Sequence, residues 1–216
     1  MKSLSLFDRL LLVFLVFIGL LIAFRIYYTG SIMHLFLSWN IFLAWIPYML
    51  SKYFADIKGK AKWKQVSLFA CWLLFFPNAL YIVTDLIHIE DNADIPVWYD
   101  AVLLFASSFI GIIMAFVSLR KAEIFLNAVL PKKIVYFLVP LILFTASFGV
   151  YLGRFQRWNS WDVVKNPIGL AMDIAGNFIS PIQNYKTWAI TILFTAIFSL
   201  VYFFLKILPK AFDVKK

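Results

Sequence analysis

The chain has 216 residues, 63% hydrophobic and 19% aromatic against only 14% charged. That balance excludes an average soluble domain and makes lipid the expected solvent. The formal net charge of +9 would suit nucleic acid, but the basic residues sit in short runs between apolar stretches rather than on one folded face, so no nucleic-acid partner is expected.

Windows of about twenty mostly apolar residues, the length that crosses a hydrocarbon core of roughly 30 Å, recur along the sequence. They predict an all-α, polytopic transmembrane helix bundle of six spans in one membrane domain, residues 1–216. The first, Leu10 to Tyr28, follows Lys2 and Arg9 as a signal peptide would. Its apolar run is too long for one, however, and Arg25-Ile26-Tyr27-Tyr28 reads as an interfacial anchor rather than a cleavage site. The second, Ile32 to Leu50, carries His34 and Asn40, polar residues of the kind that hydrogen-bond between helices. A lysine-rich loop, Lys52 to Gln65, suits a topology signal that attracts anionic headgroups.

The third span, Val66 to Thr84, holds the most informative pattern. Asn78, Tyr81, Asp85 and His88 fall within an arc of about 80° on an α-helix and so share one face. Ionisable groups are costly beside hydrocarbon, which makes such a stripe a candidate site, with Asp85 and His88 as an acid–base pair. Pro77 lies just below and removes one helical hydrogen bond, a defect that the Asn78 amide can help satisfy. Cys71, the single cysteine, excludes an internal disulfide and a thiolate-rich metal centre.

The loop that follows is acidic, and Asp100 opens the fourth span, Val97 to Val117. Asp85, His88, Glu90 and Asp100 offer oxygen and imidazole ligands for a divalent metal, although their spacing matches no defined motif, and the residues specify no cofactor. Ser107, Gly111 and Ser118 form a small-residue stripe that permits close helix approach. The stretch from Lys121 to Lys133 reads as a segment lying along the interface, with an extended fourth helix as the alternative.

The fifth span, Ile134 to Leu152, exits through Gly153-Arg154-Phe155-Gln156-Arg157-Trp158-Asn159-Ser160-Trp161-Asp162. Arg154 and Arg157 would pair with Asp85 or Asp100, or clamp a phosphate or carboxylate, while Asn159 and Asp162 would close the turn. Between Pro167 and Pro181, residues 168–179 suit a re-entrant or surface-lying helix. The sixth span is Thr187 to Ile207. Of the 20 Lys and Arg, all but Arg25, Arg154, Arg157, Lys165 and Lys186 fall on one side of this topology, which places both termini in the cytoplasm.

The strings Trp72-Leu-Leu-Phe-Phe-Pro-Asn-Ala-Leu-Tyr-Ile-Val-Thr-Asp-Leu-Ile-His88, Trp98-Tyr99-Asp100 and Gly153 to Asp162 resemble a family of prokaryotic integral membrane proteins defined only as a domain of unknown function. The resemblance implies a multi-pass protein of the prokaryotic plasma membrane and brings no reaction, substrate or cofactor.

Three expectations follow. The first is an extracytoplasmic polar site that binds or processes an anionic lipid or envelope precursor, with Asn78, Tyr81, Asp100, Arg154, Arg157, Asn159 and Asp162 holding the ligand. The second is transport of a small solute or ion along Asn78, Tyr81, Asp85 and Asn40. The third is a non-catalytic assembly subunit whose charges only staple helices together.

Overall fold

The computed structural model describes residues 5–89 and 95–212. Glu90, named above as a metal ligand, lies outside them. Every secondary-structure element among the described residues is helical, and six helices are long and apolar enough to cross a membrane. The chain is an integral membrane protein by this architecture.

The first crossing, α1 (Leu6–Thr29), begins at a capping box in which Ser5 accepts from the Asp8 backbone N–H and the Asp8 carboxylate accepts from Ser5. It ends at Gly30, whose φ of 67° is left-handed and suits a residue without a Cβ. Next come α2 (Phe36–Lys52), the single turn α3 (Phe54–Ile57) and α4 (Lys62–Tyr81), which tightens into a 3₁₀ helix over Ile82–His88. The chain then enters α5 (Val97–Val129) and α6 (Lys132–Phe155), and a short α7 (Asp162–Lys165) and α8 (Pro167–Ile179) precede α9 (Tyr185–Phe212).

Six alternating crossings give the bundle two ends. The end where α1 begins and α2 finishes is rich in lysine; the far end carries the connections after α1, α4 and α6.

At the centre stands α5, packed by α1, α2, α4 and α6, and its most apolar stretch is 67% buried against 17% for α9. Small side chains on α5 let its neighbours approach. Ser108 donates to the Ile82 carbonyl at 3.0 Å. Ser118 accepts from the buried Trp72 indole and donates to the Pro47 carbonyl at 3.1 Å, joining α5 to α4 and α2.

The segment from Lys121 onward continues α5 to Val129, past the expected end of the fourth span at Val117, rather than forming a separate interfacial segment. No helix breaker intervenes before Pro131, and Glu123 fixes the extension to α9. Its carboxylate accepts from Lys206, Tyr202 and Arg120 at 2.5, 2.6 and 2.7 Å. Glu123→Ala is expected to lower stability by about 2–3 kcal/mol, since it leaves the buried Tyr202 hydroxyl without its acceptor. A thermal scan of the purified protein, read as loss of the monodisperse species, checks this.

As a 13-residue helix, α8 reaches only about 20 Å and cannot cross the hydrocarbon. Pro167 sits in its first turn and Asn166 caps the Gly169 N–H at 3.1 Å. Asn177 ties it to α9: its side-chain oxygen accepts from Thr187 at 2.8 Å and its carbonyl from the Trp188 indole at 3.1 Å.

Candidate functional site

The stripe on α4 meets the exit of α6 at the far end. Within the 3₁₀ turn of Ile82–His88 residues three apart eclipse one another. Asp85 and His88 therefore stand in one row, with Tyr81 and Thr84 in the row beside it. Arg154, in the last turn of α6, fits between the rows. Its Nε donates to the Thr84 hydroxyl at 2.8 Å, one Nη donates to Asp85, and the other lies 3.1 Å from His88 Nε2. The guanidinium carbon sits 4.8 Å from the centre of the Tyr81 ring.

A guanidinium only donates, so the His88 contact requires Nε2 to accept, which a neutral imidazole does with its proton on Nδ1. The second Asp85 oxygen accepts from the Asn40 amide of α2 at 2.7 Å. Asp85 is 1% exposed, and this pairing satisfies a carboxylate that could not be buried alone.

Asp100 lies elsewhere. Its two oxygens accept from Arg25 Nε at 2.7 Å and Nη2 at 2.9 Å, so the residue read as an interfacial anchor is instead a buried partner bridging α1 and α5. His34 Nε2 approaches the same carboxylate at 3.7 Å. Phe36 connects the two charged clusters, with its ring 5.9 Å from that of His34 and 5.4 Å from that of His88. Among the described residues no group of three or more His, Cys, Asp or Glu is placed to hold a metal ion.

Beside the Arg154 cluster, α2, α4, α6 and α8 enclose a cavity of about 290 Å³. Its lining is part polar, with Asn40, Asn78, Tyr81, Asn159 and Ser160, and part aliphatic, with Leu73, Val163, Leu170 and Ile174. Asn40 and Tyr81 thus face the cavity while touching the buried charges behind them. Asn78 donates to Ser160 at 2.9 Å, and the Ser160 hydroxyl in turn donates to the Leu74 carbonyl at 3.0 Å. The loop after α6 therefore supplies the hydroxyl that reaches the backbone near Pro77.

Arg157 is exposed and is not joined to either carboxylate. Its backbone has φ 61°, the left-handed region that costs an L-residue roughly 1–2 kcal/mol. This reversal lets the Trp158 N–H cap the Leu152 carbonyl at 3.1 Å and turns Trp158 over the cavity, where its indole bonds Asp173 of α8 at 2.8 Å. Asp162 accepts from the Asn159 backbone N–H at 2.7 Å and closes the loop; it does not line the cavity.

The sequence reads Asn40 as a hydrogen-bonding group between helices and, in the transport reading, as part of a polar route, and it does not single out Ser160, Leu170 or Ile174. A spacing signal was available for the close approach beneath the cavity. Gly149 and Gly153 are four apart on α6, and a Cβ on them would meet Pro77 at 2.9 Å and the Tyr81 ring at 3.3 Å.

No curated protein and no solved structure matches this sequence. A family model for proteins of unknown function, DUF1361, matches residues 39–201, which takes in α4, the Arg154 cluster and every cavity-lining segment, and the chain belongs to that family.

Proposed function

We propose that the far-end cavity binds the polar end of an anionic membrane amphiphile, a lipid or an envelope precursor, from the outer leaflet of a prokaryotic plasma membrane. The amphiphilic lining carries this reading. Amides and hydroxyls of Asn40, Asn78, Tyr81, Asn159 and Ser160 suit a headgroup, and the aliphatic lining residues, Leu170 and Ile174 of α8 among them, suit the start of an acyl chain. Arg157 supplies positive charge beside the cavity, and the backbone strain stored there is of the kind that accompanies binding sites. The excess of Lys and Arg at the opposite end supports an extracytoplasmic position.

Arg154, Asp85 and His88 serve in this reading as the supporting wall rather than as anion clamp and acid–base pair. Every nitrogen of Arg154 already faces a protein acceptor, and both oxygens of Asp85 are bonded. A transport route along α4 has less support, because the helix continues below the cavity through the buried, stacked Trp72 and Phe76.

The test is mass spectrometry of lipids retained by protein purified from native membranes in mild detergent. Wild type is expected to retain an anionic amphiphile that Arg157→Gly loses severalfold. Glycine relieves the left-handed backbone, so this variant should be at least as heat-stable as wild type and the loss cannot be ascribed to unfolding. Ile174→Trp, which fills the cavity, should lose the lipid as well. Identical lipid profiles in all three proteins would remove the proposal.

A further inference from the structure

A second, larger cavity of about 880 Å³ lies at the lysine-rich end, between α1, α2, α3 and α5 and remote from the Arg154 cluster. Its walls are apolar, with Phe7, Phe54, Val117, Ile124 and Phe125. Lys52, Lys58 and Lys121 line it too, against a single lining carboxylate, Asp8.

That carboxylate is already engaged. One Asp8 oxygen accepts from Lys52 at 2.5 Å and from the Tyr48 hydroxyl at 2.6 Å. Lys121 forms no ion pair among the described residues; its ammonium rests 4.9 Å from the centre of the Tyr48 ring, which Lys52 also approaches at 4.8 Å. Lys58 is exposed and likewise has no carboxylate within ion-pair distance among the described residues. Among the described residues, then, neither ammonium has a carboxylate within ion-pair distance, and both border an apolar hollow at the end of the spans where headgroups lie.

We propose that this cavity binds an anionic phospholipid of the adjoining leaflet, its phosphate between Lys121 and Lys58 and an acyl chain along Phe54, Val117 and Phe125. The site is independent of the far-end cavity and stands whether or not that one binds a lipid. The pairing of charge with apolar depth selects this occupant: a free anion gains nothing from the phenylalanine walls, and a zwitterionic lipid brings its phosphate with a cation of its own and so adds no net negative charge beside the two ammonium groups. The volume is within the range of pockets that enclose most of a ligand.

The experiment is native mass spectrometry of the full chain in mild non-ionic detergent, titrated with phosphatidylglycerol and with phosphatidylcholine of the same acyl chains. Phosphatidylglycerol is expected to bind more tightly. Lys58→Gln combined with Lys121→Gln should weaken it about tenfold, the effect of losing a charge-assisted contact. Lys62→Gln with Lys64→Gln, nearby lysines that do not line the cavity, should leave it nearly unchanged. Ala128→Phe, which fills the cavity from an exposed position and keeps every lysine, should weaken both lipids.

Equal affinity for the two lipids, or equal loss from the Lys62 and Lys64 pair, would overturn the proposal. So would displacement of phosphatidylglycerol by excess inorganic phosphate, which would assign the site to a free anion. Should the Lys58 and Lys121 pair fail to yield monodisperse protein, Ala128→Phe decides: undiminished phosphatidylglycerol binding by it refutes the site.

Discussion

Arg25→Leu is expected to destabilise the protein by about 3–5 kcal/mol, the cost of leaving one member of a buried ion pair without the other. Arg25 and Asp100 are 3% and 1% exposed, and the guanidinium meets the carboxylate through two nitrogens. Asp100 cannot turn to water from that position, and His34, the other basic group near it, stands at 3.7 Å. Arg25→Leu with Asp100→Leu together should recover most of the loss, because no charge then stays behind in the bundle. Thermal unfolding of wild type, both single variants and the double variant gives the coupling directly. A single variant that melts with wild type would show that this pair does not hold α1 to α5.

Gly111 is the second position where one side chain should have a large effect. A Cβ there would lie 2.1 Å from Ile82 Cγ2 and 3.0 Å from the Ala79 carbonyl oxygen. Ile82 is fully buried where α4 gives way to the 3₁₀ turn, so it cannot swing aside without moving backbone. Gly111→Ala is expected to cost about 1–3 kcal/mol by overpacking, and Gly111→Leu to abolish accumulation of folded protein. Gly111→Ala should also disturb the Arg154 cluster, because Thr84, Asp85 and His88 follow Ile82 on the same turn. Gly19→Ala, where nothing lies within 4 Å of the added Cβ, should be neutral or slightly stabilising and separates crowding from any general effect of losing a glycine. Thermal scans of the two alanine variants, with the yield of folded Gly111→Leu protein, check the order.

The spans were legible because hydrocarbon imposes a length and a composition that few other environments do. Their ends were less so. Lys121 and Glu123 look like the close of a helix in a linear reading, but Glu123 is buried against Lys206 and Tyr202, a pairing 83 and 79 residues away in sequence that periodicity does not report. The same limit governs the charges at the far end. Spacing placed Tyr81, Asp85 and His88 on one face and left Asp85 or Asp100 as the partner of Arg154. The choice depends on Arg25 taking Asp100, and Arg25 sits where interfacial arginines ordinarily sit. Asn40 and Ser160 were harder still, because a lone amide or hydroxyl has the same appearance whether it ties two segments together or lines a cavity, and here each does both.

The 3₁₀ turn from Ile82 to His88 has seven residues, longer than the three or four usual for this winding. Rewound as α-helix, the same seven would be shorter by roughly 3.5 Å and turned by about 140° at their end. Thr84, Asp85 and His88 would still share one face, an arc of about 100°, but that face would be carried along and around the axis, away from where Arg154 meets it now. Arg154 therefore marks where this segment must end: its contacts to Thr84, Asp85 and His88 tie the length and twist of the 3₁₀ turn to the position of the last turn of α6.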